Sequence, residues 1–88
     1  MITIKSTATE LALTGQAIID SVVLVGGTAN SAVVLTDGLT SSGTDKIELK
    51  CLAYDSKQVS FGEDGLVFDT GIYNTLSGSG AKVYVYLK

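Results

Sequence analysis

From Lys46 to Tyr54 the side chains alternate in character: Ile47, Leu49, Cys51 and Ala53 fall on one side of an extended chain, Lys46, Glu48 and Lys50 on the other. A repeat of two residues marks a β-strand with one face in a core and one in water, because successive side chains leave a strand on opposite sides. A helix would scatter the same residues around its whole circumference. The run from Ala81 to Lys88 repeats the pattern, setting Val83, Val85 and Leu87 against Tyr84 and Tyr86. No segment carries the spacing of an amphipathic helix, so the chain is expected to be all β.

Further strands are expected at Ile2 to Ser6, Glu10 to Leu13, Gln16 to Val25, Ser31 to Thr36, Gln58 to Phe61, Leu66 to Phe68 and Ile72 to Ser77. Clusters of Gly, Asp, Asn and Ser separate them, at the spacing of a sandwich or barrel. Asp37-Gly38 and Asp64-Gly65 are turn dipeptides, since Gly accepts positive φ and Asp bonds to nearby backbone. Val22-Val23-Leu24-Val25-Gly26-Gly27 is echoed by Val33-Val34-Leu35-Thr36-Asp37-Gly38, the pattern of two apolar strands joined in a hairpin rather than of a repeat architecture. The predicted fold is a small antiparallel β-sandwich, jelly-roll-like or immunoglobulin-like, forming one domain over residues 1–88. The chain has no proline, one common device for blocking sheet edges, so other devices or a partner must cover them.

Size and charge narrow the role. An 88-residue chain that is 45% hydrophobic has enough apolar surface for one core and no room for a second. A domain this small buries only about 60% of the surface its unfolded chain exposes, which makes self-association into a dimer or trimer an expected source of stability. The net charge is −3, the pI about 4.5, and the six cationic residues are all Lys and dispersed. Nucleic-acid binding needs a concentrated basic footprint, so it is not expected. The apolar stretch from Ala17 to Val25 is broken by Asp20 and Ser21 and falls short of the roughly 20 residues of a membrane helix. The opening Met1 to Thr7 lacks the features of a secretory signal. A single cysteine cannot form an internal disulfide, which suits synthesis in a reducing cytoplasm.

Catalytic chemistry finds little footing. There is no His, which removes the usual general base and the commonest metal ligand. Cys51 lies on the inferred inward face between Leu49 and Ala53, and is expected to be a buried structural thiol rather than a nucleophile. Glu63, Asp64 and Asp69 are the only local acidic cluster, and their spacing fits a solvated turn rather than a calcium loop. Gly26-Gly27 and Gly78-Ser79-Gly80 open no helix and carry no P-loop Lys, so they are expected to be hairpin turns. No S-x-x-K motif supports a Ser-Lys dyad. No catalytic residue, metal ligand or cofactor site is expected.

The more informative side chains are tyrosines. Tyr84 and Tyr86 form a stripe opposite Val83 and Val85, with Tyr54 and Tyr73 as candidate neighbours. Tyrosine combines apolar area with a polar tip and is enriched in protein interfaces. Two readings stand side by side: a subunit interface, or half of a second core layer.

The chain from about Val22 onward resembles small accessory proteins encoded with the virion genes of tailed bacteriophages, including phages of aquatic bacteria. The resemblance lies in an order of elements: the Val33 to Gly38 strand and turn, the Ser41-Ser42-Gly43-Thr44 loop, the alternating Lys46 to Tyr54 strand, Gly65 to Tyr73, and the closing Gly80 to Tyr86. It implies a β-sandwich that decorates or cements a capsid in many symmetric copies, in contact with the major capsid protein, or that sits in the neck or tail of the virion. No functional residues carry over, because these motifs are turns and strands. A carbohydrate- or host-surface-binding β module is the alternative, with Tyr54, Tyr73, Tyr84 or Tyr86 stacking on a sugar; the lack of Trp counts against it.

Overall fold

The structure, a computed structural model, describes residues 2–88. Nine strands form: β1 (Thr3–Ser6), β2 (Glu10–Thr14), β3 (Ala17–Val25), β4 (Ser31–Asp37), β5 (Thr44–Cys51), β6 (Ser56–Ser60), β7 (Leu66–Phe68), β8 (Gly71–Ser77) and β9 (Lys82–Leu87). Each expected strand is present, and among the described residues there is no helix. One sheet, A, has the order β1-β9-β3-β6, with β7 pairing β3 beyond the end of β6; the other, B, has the order β2-β8-β4-β5. All pairings are antiparallel.

The pairing has a simple logic. β4 pairs β5, β3 pairs β6, β2 pairs β8 and β1 pairs β9, so the chain is one long hairpin folded at the loop after Asp37. Rolling that hairpin up brings β3 against β9 and β4 against β8 and separates the two sheets. This is jelly-roll connectivity. The immunoglobulin-like alternative is not formed, because that sandwich keeps consecutive strands such as its first two paired in one sheet, whereas here β1 and β2 lie in different sheets.

Two expectations about connections are overturned. β3 and β4 are not a hairpin; they belong to facing sheets, and the echo between them reflects two strands that each turn a Val and a Leu inward, Val22 and Leu24 against Val33 and Leu35. Gly26-Gly27 and Gly78-Ser79-Gly80 likewise lie in corners between sheets, not in hairpin turns. The two corners touch: the Thr28 N–H donates to the Ser79 carbonyl at 2.9 Å, and a Cβ on Gly27 would run into that same carbonyl. Glycine stands there because only a bare backbone fits.

The core is filled from both sheets by Ile19, Val22, Leu24, Val33, Leu35, Phe68, Ile72, Val83, Val85 and Leu87. Alternation along β9 is as expected, with Val83, Val85 and Leu87 inward and Tyr84 and Tyr86 outward. On β5 it holds for Ile47, Leu49 and Cys51, which pack on the core half-buried, but the strand ends at Cys51. Leu52 to Asp55 then turn, with the Asp55 N–H donating to the Leu52 carbonyl at 3.1 Å and Tyr54 at φ 60°. Ala53 and Tyr54 therefore do not continue the strand, although their polarity suits it. Asn74 also faces inward from β8, fully buried, its amide donating to the Ala8 carbonyl at 2.8 Å across the β1–β2 corner.

Candidate interaction surfaces

Tyr84 and Tyr86 sit on the strand that lies between β1 and β3 in sheet A. Register places Tyr84 between Lys5 and Val23, and Tyr86 between Thr3 and Ser21. These flanking side chains, not a covering element, make both tyrosines half-buried. The Lys5 ammonium lies 6.0 Å from the centre of the Tyr84 ring, at the outer limit of a cation–π contact. All nine strands belong to two sheets, and the shortest extent of the backbone is 18 Å, the depth of two layers spaced about 10 Å apart. Among the described residues no third layer covers this outer face, so the tyrosines are not half of a second core.

The other two tyrosines are elsewhere. Tyr73 is on β8 in sheet B, facing out on the opposite side of the sandwich, paired with Leu11 and Thr36. Thr36 beside it is buried, its hydroxyl donating to Asp45 at 2.8 Å. Tyr54 stands at the β5–β6 corner, 81% exposed. Its left-handed backbone is unusual for a bulky residue. It is held by its N–H donating to the Gly27 carbonyl at 3.0 Å, and by the Gly26 N–H donating to Asp55 at 2.7 Å. The four tyrosines thus occupy three separate surfaces and form no single patch.

Two hollows mark the ends of the sandwich. At the corner end, a cleft of about 460 Å³ is lined by Asn30, Ser31, Lys50, Cys51, Asp55 and Lys57 among others. Cys51 is half-buried here rather than sealed in the core, because β5 is an edge strand with no further strand beyond it among the described residues. At the opposite end, a groove of about 500 Å³ is framed by Ile2, Leu13, Ala17, Ile18 and Leu87. Ile2 and Ile18 are 65% and 40% exposed. Sequence reasoning did not single them out; the Ile18-Ile19 pair held the signal, since adjacent strand residues face opposite ways and one of the two had to face outward.

Acidic groups are dispersed. Glu63, Asp64 and Asp69 are exposed, and among the described residues no three acidic, His or Cys side chains gather as a metal site would require. The notable acid is Asp37, at the end of β4. Its two carboxylate oxygens accept from the Asp69 N–H at 3.0 Å and the Thr70 N–H at 2.9 Å, clamping the β7–β8 corner. Those two donors hold its carboxyl below the ordinary aspartate value. The Asp37-Gly38 dipeptide does begin a turn, but the side chain serves a different corner.

In comparisons with known proteins the chain matches no family model, no curated protein and no solved structure.

Proposed function

We propose that the chain is a structural protein of a tailed-bacteriophage virion, a capsid decoration or cement subunit that binds the capsid surface and stabilises it. The observation that carries this reading is the uncovered outer face of sheet A with Tyr84 and Tyr86 at its middle. Both rings are braced by neighbours on β1 and β3, so little conformational freedom remains to be lost when a partner covers them. Aromatic anchors on an open sheet face, flanked by the exposed Thr3, Lys5 and Lys82, match the anatomy of a protein interface: apolar middle, polar rim. The segments quoted for the phage resemblance are strands and turns of the two sheets: Val33 to Gly38 falls on β4 and its turn, Gly65 to Tyr73 on β7 and part of β8, and the closing run on β9. Jelly rolls serve in viral capsid domains, and equally in lectins; fold alone does not choose between them.

The test is co-sedimentation with particles stripped of the protein. The wild type is expected to rebind capsids, and Tyr84→Ser/Tyr86→Ser to lose binding at least about tenfold with its circular dichroism unchanged. A wild type that does not bind would overturn the reading; binding to necks or tails alone would reassign the subunit within the virion. The second reading, a carbohydrate- or host-surface-binding module, draws on Tyr54 and Leu52, both exposed in the β5–β6 corner. A glycan array that lights up with the wild type and goes dark with Tyr54→Ala would favour it.

A further inference from the structure

Four edges border the sandwich: β1 and β2 on one side, β6 with β7 and β5 on the other. β5 is the longest, eight residues against four for β1 and five each for β2 and β6. It bonds β4 along one side, and its other side meets no strand among the described residues. A long free edge is a template for another strand. Here the template has a specific fit, and we propose that β5 pairs antiparallel with β5 of a second copy of this chain, about a two-fold axis at Leu49, joining two B sheets into one.

Symmetry limits the choices. In a two-fold antiparallel pair, partners must point to the same face, so the axis passes between a residue and its own copy. Centring on Glu48 would set Glu48 against its own copy, a like-charge pair on the axis. Centring on Ile47 would put Leu49 opposite Asp45 and rely on Lys46, which is displaced by the register shift between Leu35 and Thr36. Centring on Leu49 sets Glu48 opposite Lys50 twice on the outer face, and Ile47 opposite Cys51 twice with Leu49 against Leu49 on the inner face. Both charges are exposed, and among the described residues neither has an ion partner; the one ion pair joins Lys88 and Asp20. Ile47, Leu49 and Cys51 rest half-covered at the side of the core, and pairing would close them over. Charge and hydrophobicity select the same register.

This inference rests on the subunit reading above in expecting self-association, but it concerns a different surface from the tyrosine face. Light scattering on the full chain across a dilution series should give twice the 9.1 kDa protomer mass. Lys50→Glu, which faces Glu48 of the second copy with another acid at both pairs, should weaken the dimer roughly tenfold to a hundredfold. Glu48→Lys/Lys50→Glu, which restores opposite charges in swapped order, should return it. Leu49→Cys in a Cys51→Ser background should form a disulfide-linked dimer under mild oxidation. A wild type that is monomeric at every concentration, or a dimer untouched by Lys50→Glu, would overturn the pairing. Protein that binds particles yet is monomeric, and is not crosslinked there through Leu49→Cys, would overturn it while leaving the decorating role intact.

Discussion

The two ends of the sandwich both rely on backbone joints, and they differ in one charged clamp. At one end, the corners after β3, β5 and β8 are joined backbone to backbone: Gly26 N–H to Asp55, Tyr54 N–H to Gly27 and Thr28 N–H to Ser79, with the Ala53 N–H donating to the Asn30 side chain at 3.2 Å. At the other end the backbone also bonds across corners, Gly15 N–H to Thr70 and Gly38 N–H to Gly71, but here a carboxylate, Asp37, adds a clamp on the β7–β8 corner, and the apolar groove of Ile2 and Ile18 lies open. Backbone joints carry no titratable group but tolerate no added atom. A carboxylate joint tolerates its neighbours but depends on its charge. Both ends should therefore be sensitive to shape, and the end with Asp37 to pH as well.

Three changes would break or sharpen this contrast. The largest effect should come from Gly27→Ala. The new methyl meets the Ser79 carbonyl, and with backbone on both sides only a shift of the whole corner can relieve it, at a cost of about 3 kcal/mol. Chemical denaturation should show a lower midpoint, with the loss unchanged between pH 3 and pH 7. Next is Asp37→Asn, which keeps the shape but forfeits the charge and one of two acceptors. Because the folded carboxyl titrates below its unfolded value of about 3.9, its contribution is complete above that pH and fades as the pH falls through the folded value. The wild type should exceed Asp37→Asn in thermal midpoint at pH 7, and the gap should close on acidification below about pH 4; a constant gap would deny the clamp its charge dependence. The smallest effect belongs to Lys88→Ala. Its pair with Asp20 spans 3.2 Å but both side chains are about a third exposed, so a loss of about 0.5 kcal/mol is expected, and 1 M salt should erase it.

Much of this architecture was legible in the residues. Alternation in β5 and β9 gave inward and outward faces, and Gly, Asp and Ser clusters gave the breaks between strands. Sheet membership was not legible, because alternation says which side of a strand faces the core and nothing about which sheet the strand joins. That choice is made by pairings between distant residues, such as Thr3 with Tyr86, and so two strands in facing sheets, β3 and β4, read as a hairpin. The same gap misplaced the tyrosines: Tyr84 and Tyr86 share a strand and hence a face, but Tyr73 lies in the other sheet. Tyr54 fitted the β5 alternation by residue type while its backbone had already turned away. Asp37 read as a turn former, and its hold on Asp69 and Thr70, more than thirty residues away, left no local trace.

The role proposed for this jelly roll is that of a surface within a virion. The most direct test is quantitative mass spectrometry of purified particles of a tailed phage whose genome carries this sequence. The account predicts the protein at a fixed ratio to the major capsid protein, retained through density-gradient purification. Absence from the particles, or an amount that dwindles with each purification step, would contradict it.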